Sequence, residues 1–155
     1  MKQDKMIFTS KQVEIKHTPL KQKNEDILVF INKLKDLHKK NNCKLPFTYH
    51  LTICGLETRN GEAVYNYNLY NITGEYQGKY FKHKNIDLKF RAYNSFDESI
   101  KDFEDLIHNK YKSVITYLKE NKIEQAIKET ILLGFAGHKD YERYLSYLIG
   151  VKKYV

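Results

Sequence analysis

The chain has 155 residues, enough for one domain with a buried core, and its content of 41% hydrophobic and 14% aromatic residues excludes a disordered chain. A net charge of +8 points to an anionic partner (nucleic acid, an acidic membrane surface or a bacterial cell wall), or to nothing more than the basic solvated surface of a Lys-rich chain. Cys43 and Cys54 are the only cysteines, too few for a disulfide scaffold.

The opening MKQDKMIFTSKQVEIK has no apolar run of signal-peptide length, and no later segment could insert in a membrane. A target outside the cytoplasm therefore implies delivery by lysis, a virion or a secretion machinery. Residues 1–23 read as an extended N-terminal arm in which Pro19 interrupts any helix, and residues 24–155 as a single domain. Asn24 is expected to cap a first helix with Glu25 and Asp26 in its first turn, and Ile27, Phe30, Ile31, Leu34 and Leu37 form its apolar stripe.

Pro46 suits the first position of a second helix. Phe47, His50, Leu51, Cys54 and Leu56 make that helix largely apolar, so it should be buried as far as Glu57 and break at Asn60 and Gly61. The stretch to Tyr93 differs in kind. Its glycines, its tyrosines and the alternation of Ile86, Leu88 and Phe90 predict a small β lobe with a hairpin around Lys84 and Asn85. Ser95 and Glu98 form a capping box for a helix through Phe96, Ile100, Phe103 and Ile107. Two short helices follow, over Val114–Lys119 and Ile123–Leu133, with Gly134 as a stop. Asp140 caps a last helix whose core face is Tyr144, Leu145 and Leu148. The sum is an α+β domain, mainly helical with one β insertion.

Glu57 is the residue placed for chemistry. A carboxyl at the C-terminal end of an apolar helix meets both low polarity and the negative end of the helix dipole, and both raise its pKa. A glycosidase acid needs such a group, although a helix-end Glu reaching into solvent has the same spacing. His50, Cys54 and Glu57, spaced i, i+4 and i+7, share a helix face that could hold a metal, but the sequence offers no further ligands in that pattern. No phosphate loop, nucleophile elbow or signature Cys–His pair is present.

The segment LPFTYHLTICGLETRNG, Leu45 to Gly61, resembles the active-site helix of the glucosaminidase domains of bacterial autolysins and flagellar rod-cap peptidoglycan hydrolases, a pattern close to VPASVTIAQAALESGWG. FINKLKDLHKK from Phe30 looks like the helix before it. NLYNITG from Asn68, KFRAYNSFDESIKDF from Lys89 and GFAGHKDYERYL from Gly134 are similar to later motifs, in register over about residues 27–150. The resemblance implies a lysozyme-like α+β fold with a cleft between helical body and β lobe. It also implies hydrolysis of the β-1,4 bond after N-acetylglucosamine in peptidoglycan with no cofactor, and Glu57 as general acid. It places Tyr141 on the family's cleft tyrosine and makes Asn68, Tyr67, Tyr70 and Tyr93 candidates for sugar contact, Tyr offering a flat face and a hydroxyl.

Two departures stand out. Thr58, Arg59 and Asn60 replace Ser-Gly-Trp, so an aromatic wall is missing that Tyr65, Tyr67 or Tyr70 could supply. The short lobe leaves the second carboxylate open between Asp87, on the hairpin strand, and Glu75, unless the substrate's acetamido group takes that role. An inactive wall-binding module and a nucleic-acid-binding protein are the rival readings. The second needs Lys and Arg gathered on one face, whereas here they alternate with acids. A secreted effector would also imply an immunity or inhibitor protein as partner.

Overall fold

The computed structural model describes residues 7–155. Six helices carry the body: α1 (Ile27–Lys40), α2 (Phe47–Glu57), α3 (Phe96–Lys110), α4 (Lys112–Lys119), α5 (Ile123–Leu132) and α6 (Tyr141–Val151), with a closing 3₁₀ turn at Lys152–Tyr154. A three-stranded sheet of β1 (Lys11–Gln12), β2 (Lys79–Phe81) and β3 (Phe90–Arg91) completes the α+β fold.

The apolar faces meet on α2. Its residues from Tyr49 to Gly55 are all buried, as expected of a helix apolar all round, and it contacts α1, α5 and α6. Phe30, Ile31 and Leu34 cover it from α1, Ile127 and Ile131 from α5, and Tyr144 and Leu148 from α6. Phe103 of α3 stacks on Tyr70 at 3.8 Å between ring centroids and on Tyr49 at 5.9 Å. Thr130 donates to the carbonyl of Ala126, so the buried Tyr49 hydroxyl donates to Thr130 Oγ1 at 2.5 Å.

Local signals act as expected in α3, where the Glu98 amide donates to Ser95 Oγ at 3.2 Å while the Glu98 carboxylate accepts from the Asn94 amide at 2.6 Å. Elsewhere they are displaced. Asp26, not Asn24, caps α1, accepting from the Leu28 amide at 2.8 Å, because the helix starts only at Ile27. Asp140 precedes α6 without a side-chain capping bond; its own amide instead donates to His138 Nδ1 at 3.2 Å.

The hairpin departs more. Lys84 and Asn85 do turn, with Asn85 at φ +66°, but only Phe90 and Arg91 pair with β2. Ile86 and Leu88 are exposed and lie outside any strand. The alternation that suggested a strand there has no second layer to pack on. The arm supplies the third strand, pairing parallel with β2 at Lys11–Lys79 and Gln12–Tyr80. Farther along, the Asn66 side chain is bonded to the Lys16 amide and the Glu14 carbonyl, both at 2.9 Å.

Tyr147 of α6 lies directly over Gly55 of α2. A Cβ built there would lie 1.9 Å from the Tyr147 hydroxyl oxygen. Gly55→Ala should therefore lower stability by about 1–3 kcal/mol, the usual scale for overpacking a core. In a Tyr147→Ala background the same change should cost clearly less. Urea unfolding of the four proteins of this cycle measures the coupling.

Candidate active site

Glu57 closes α2 and is half-buried. The turn beyond it is held by the Thr58 side chain. The Thr58 hydroxyl donates to the Cys54 carbonyl at 2.7 Å and accepts from the Gly61 amide at 2.9 Å, while Arg59 and Asn60 take left-handed conformations. Gly61, at φ +82°, lies where a Cβ would come within 2.5 Å of the Phe30 ring. That turn fixes where the Glu57 side chain leaves the helix.

Two side chains reach Glu57. The Tyr144 hydroxyl, from α6, donates to Oε1. The Asn71 amide, held in a left-handed turn of the lobe, donates to the Glu57 carbonyl at 2.8 Å and lies 3.4 Å from Oε2. Burial raises the pKa of Glu57, and the bonds from Tyr144 and Asn71 and the nearby His138 and Arg143 only partly offset it. Burial and the Glu57 charge push Tyr144 far up, so its hydroxyl stays a donor. His138 stacks on the Tyr144 ring at 6.0 Å between centroids.

Tyr141 is not the tyrosine on the acid. It lies half-buried at the start of α6, with Lys128 of α5 at 4.7 Å from its ring centroid. Tyr144, one helical turn on, carries the hydroxyl that meets Glu57. The helical spacing that marks Tyr144 as core is right about its ring, which is 1% exposed, and silent about its oxygen.

Tyr70 and Asn68 are also displaced from the cleft by burial. The Tyr70 hydroxyl bonds His50 Nδ1 at 2.7 Å, and Asn68 joins the Ile72 amide and carbonyl to the Arg91 carbonyl, each at 3.0 Å. Asn68 thus shapes the loop that presents Asn71. Tyr67 and Tyr93 do come together, lining a polar cavity of about 350 Å³ with Lys16 and Lys79. Most of the Tyr93 side chain is buried, with its hydroxyl 2.6 Å from Asp102.

The two lobe carboxylates stand apart from Glu57's bonding. Glu75 accepts from Ser10 and Lys89, both at 2.9 Å, and these bonds lower its pKa. Asp87, fully exposed in the hairpin loop and not on a strand, pairs with Lys82 at 3.2 Å. The face formed by His50, Cys54 and Glu57 is not a ligand set either. His50 bonds Tyr70 and Glu104, Cys54 lies beside Thr58, and Glu57 meets Tyr144 and Asn71.

Tyr147 of α6 lies over Gly55 and donates to Asn60 Oδ1, at the place of the absent Trp, at 2.5 Å. Leu56, Arg143 and Tyr147 line an open groove there.

The sequence profile of the Glucosaminidase family, described as mannosyl-glycoprotein endo-beta-N-acetylglucosaminidase, matches residues 34–153. The chain belongs to this family. Its fold is similar to the glycoside hydrolase domain of Salmonella typhimurium FlgJ, with TM-score 0.63 and 19% identity over 84% of this chain and 91% of that one. The catalytic domain of the Listeria monocytogenes autolysin Auto aligns with TM-score 0.57 and 24% identity, over 82% and 84% of the two chains. A peptidoglycan hydrolase from Sphingomonas sp. A1 aligns with TM-score 0.51 and 20% identity, over 79% and 84%. No curated protein sequence matches significantly.

The raised pKa of Glu57 has a consequence for stability. The folded chain holds that proton more tightly than the unfolded one, so folding takes up a proton between the ordinary carboxylate range and the raised value. The Glu57 contribution is fully present below that range and is lost as pH rises through the folded pKa. Glu57→Gln should accordingly be more stable than wild type near neutral pH, and the difference should vanish in acid. Unfolding midpoints of both proteins across a pH series check this.

Proposed function

We propose that the protein hydrolyses the β-1,4 bond after N-acetylglucosamine in the glycan strands of bacterial peptidoglycan, with Glu57 as general acid. The observation that carries this reading is a half-buried carboxyl whose proton is held above the usual range. That is the requirement for a group that protonates a leaving oxygen near neutral pH. Family membership supports a bond next to N-acetylglucosamine. The folds shared with an autolysin domain and with the Sphingomonas peptidoglycan hydrolase support peptidoglycan as the polymer. A net charge of +8 favours an anionic wall.

Glu57 delivers its proton to the glycosidic oxygen as the bond from C1 breaks. The Tyr144 hydroxyl stabilises the carboxylate left behind and fixes its direction. Glu75 and Asp87 are each engaged by a lysine on the lobe. The attack on C1 is therefore assigned to the acetamido oxygen of the substrate, which closes an oxazolinium ring. Glu57, now a base, takes a proton from the water that opens this ring, and the new reducing end keeps its β configuration.

Glu57→Gln should lower glycan cleavage by about a hundredfold or more, the usual scale for a general acid, while wall binding persists. Tyr144→Phe should reduce it less and move the Glu57 titration upward. Glu75→Gln and Asp87→Asn should retain most activity. Release of soluble fragments from purified peptidoglycan measures all four. Near wild-type turnover in Glu57→Gln contradicts the acid, and a large loss in either lobe variant returns the second role to that carboxylate.

A further inference from the structure

The N-terminal arm does more than add a strand to the sheet. Beyond β1 it forms one wall of the cavity that Tyr67 and Tyr93 line from the lobe. Hydrogen bonds knit the two sides together. The Lys16 amide donates to Asn66 Oδ1 at 2.9 Å, the Asn66 amide donates to the Lys16 carbonyl at 2.8 Å, and the Tyr67 amide donates to Thr18 Oγ1 at 2.9 Å. Asn66 and Tyr67 are both left-handed, at φ +48° and +59°. Asn tolerates that region, whereas a bulky residue such as Tyr is seldom held in it. Strain of this kind persists only where the surroundings enforce it, and it gathers at functional sites. The Tyr67 ring meets Phe96 edge-on, at 5.0 Å between centroids.

The charges around this cavity do not balance. Lys16 from the arm and the half-buried Lys79 of β2 both line it, and among the described residues neither ammonium pairs with a carboxylate. Asn94 adds an amide group, and Glu14 is the one acid of the lining. Two cations with polar donors beside them suit a carboxylate. Tyr67 stands four residues before Asn71, which bonds Glu57, so the two backbones are at most about 14 Å apart. A peptide hanging from a glycan strand bound at Glu57 is within that reach. We propose that this cavity binds a carboxylate of the stem peptide carried by N-acetylmuramic acid, with Lys16 and Lys79 as its cations. The inference rests on the peptidoglycan reading above and adds a preference for strands that still bear peptides.

The full-length protein is titrated calorimetrically with a synthetic stem peptide whose carboxylates are free, and with the same peptide amidated at every carboxyl. The free acid should bind one per chain, more weakly at high salt, and the amidated peptide should not bind. Lys16→Gln combined with Lys79→Gln should weaken binding by about tenfold or more, the scale of losing charged hydrogen bonds. Lys16→Gln alone, at an exposed position, should lose part of the affinity and keeps the test open should the double variant misfold. In glycan cleavage, the double variant should raise KM on intact peptidoglycan more than on strands stripped of peptide by an amidase. No binding of the free acid at millimolar concentration, equal binding of the amidated peptide, or full affinity in the folded variants overturns the proposal. An equal rise of KM on stripped strands also overturns it, by assigning the lysines to the lactyl carboxylate of the glycan. Peptide binding without glycan cleavage sinks the hydrolase reading and not the cavity, and cleavage without peptide binding does the reverse.

Discussion

Keeping one carboxyl out of water at the end of an apolar helix is the constraint to which the rest of the molecule answers. α2 can be apolar on every side only because α1, α5 and α6 surround it. Its last residue, Glu57, inherits that dryness. Burial opposes ionisation, and the donors from Tyr144 and Asn71 favour it. Burial wins, so the carboxyl holds its proton above the usual range, with two donors beside it ready to receive the charge when the proton leaves. Both donors come from outside the helix, one from α6 and one from the lobe, so the surroundings of Glu57 are completed only when body and lobe are assembled.

The loop of the lobe shows how little secondary structure this requires. Three short strands and the side chain of Asn68 set the turn that aims Asn71 at Glu57. The exposed hairpin tip adds nothing to that aim. The aromatic side chain that bonds Asn60 comes from α6. Gly55 lets Tyr147 settle against α2 and reach Asn60. Asn60, where the family pattern has Trp, thus bonds a tyrosine from another element.

The helices were legible in the sequence because their apolar spacing, the capping box at Ser95 and the break at Gly61 are local signals, and they placed Glu57 at the end of a buried segment. The register of the lobe was not, since strands of two or three residues leave too short a pattern, and the exposed Ile86 and Leu88 imitate one. Pairing of Lys11 and Gln12 with β2 is a long-range backbone event that carries no side-chain signature. The tyrosines were the hardest to sort. Tyr70 and Tyr144 are both buried, yet one hydroxyl bonds a core histidine and the other bonds the acid. Spacing along a helix positions a ring, but tertiary packing alone chooses the partner of its oxygen.

The most direct test of the account is the identity of the sugar at the new reducing end. Purified peptidoglycan is digested with the wild-type protein, the released fragments are reduced with borohydride, and the terminal residue is identified by mass spectrometry. The account predicts reduced N-acetylglucosamine at the newly formed ends. Reduced N-acetylmuramic acid, an anhydro-muramic end or no new end at all would contradict it.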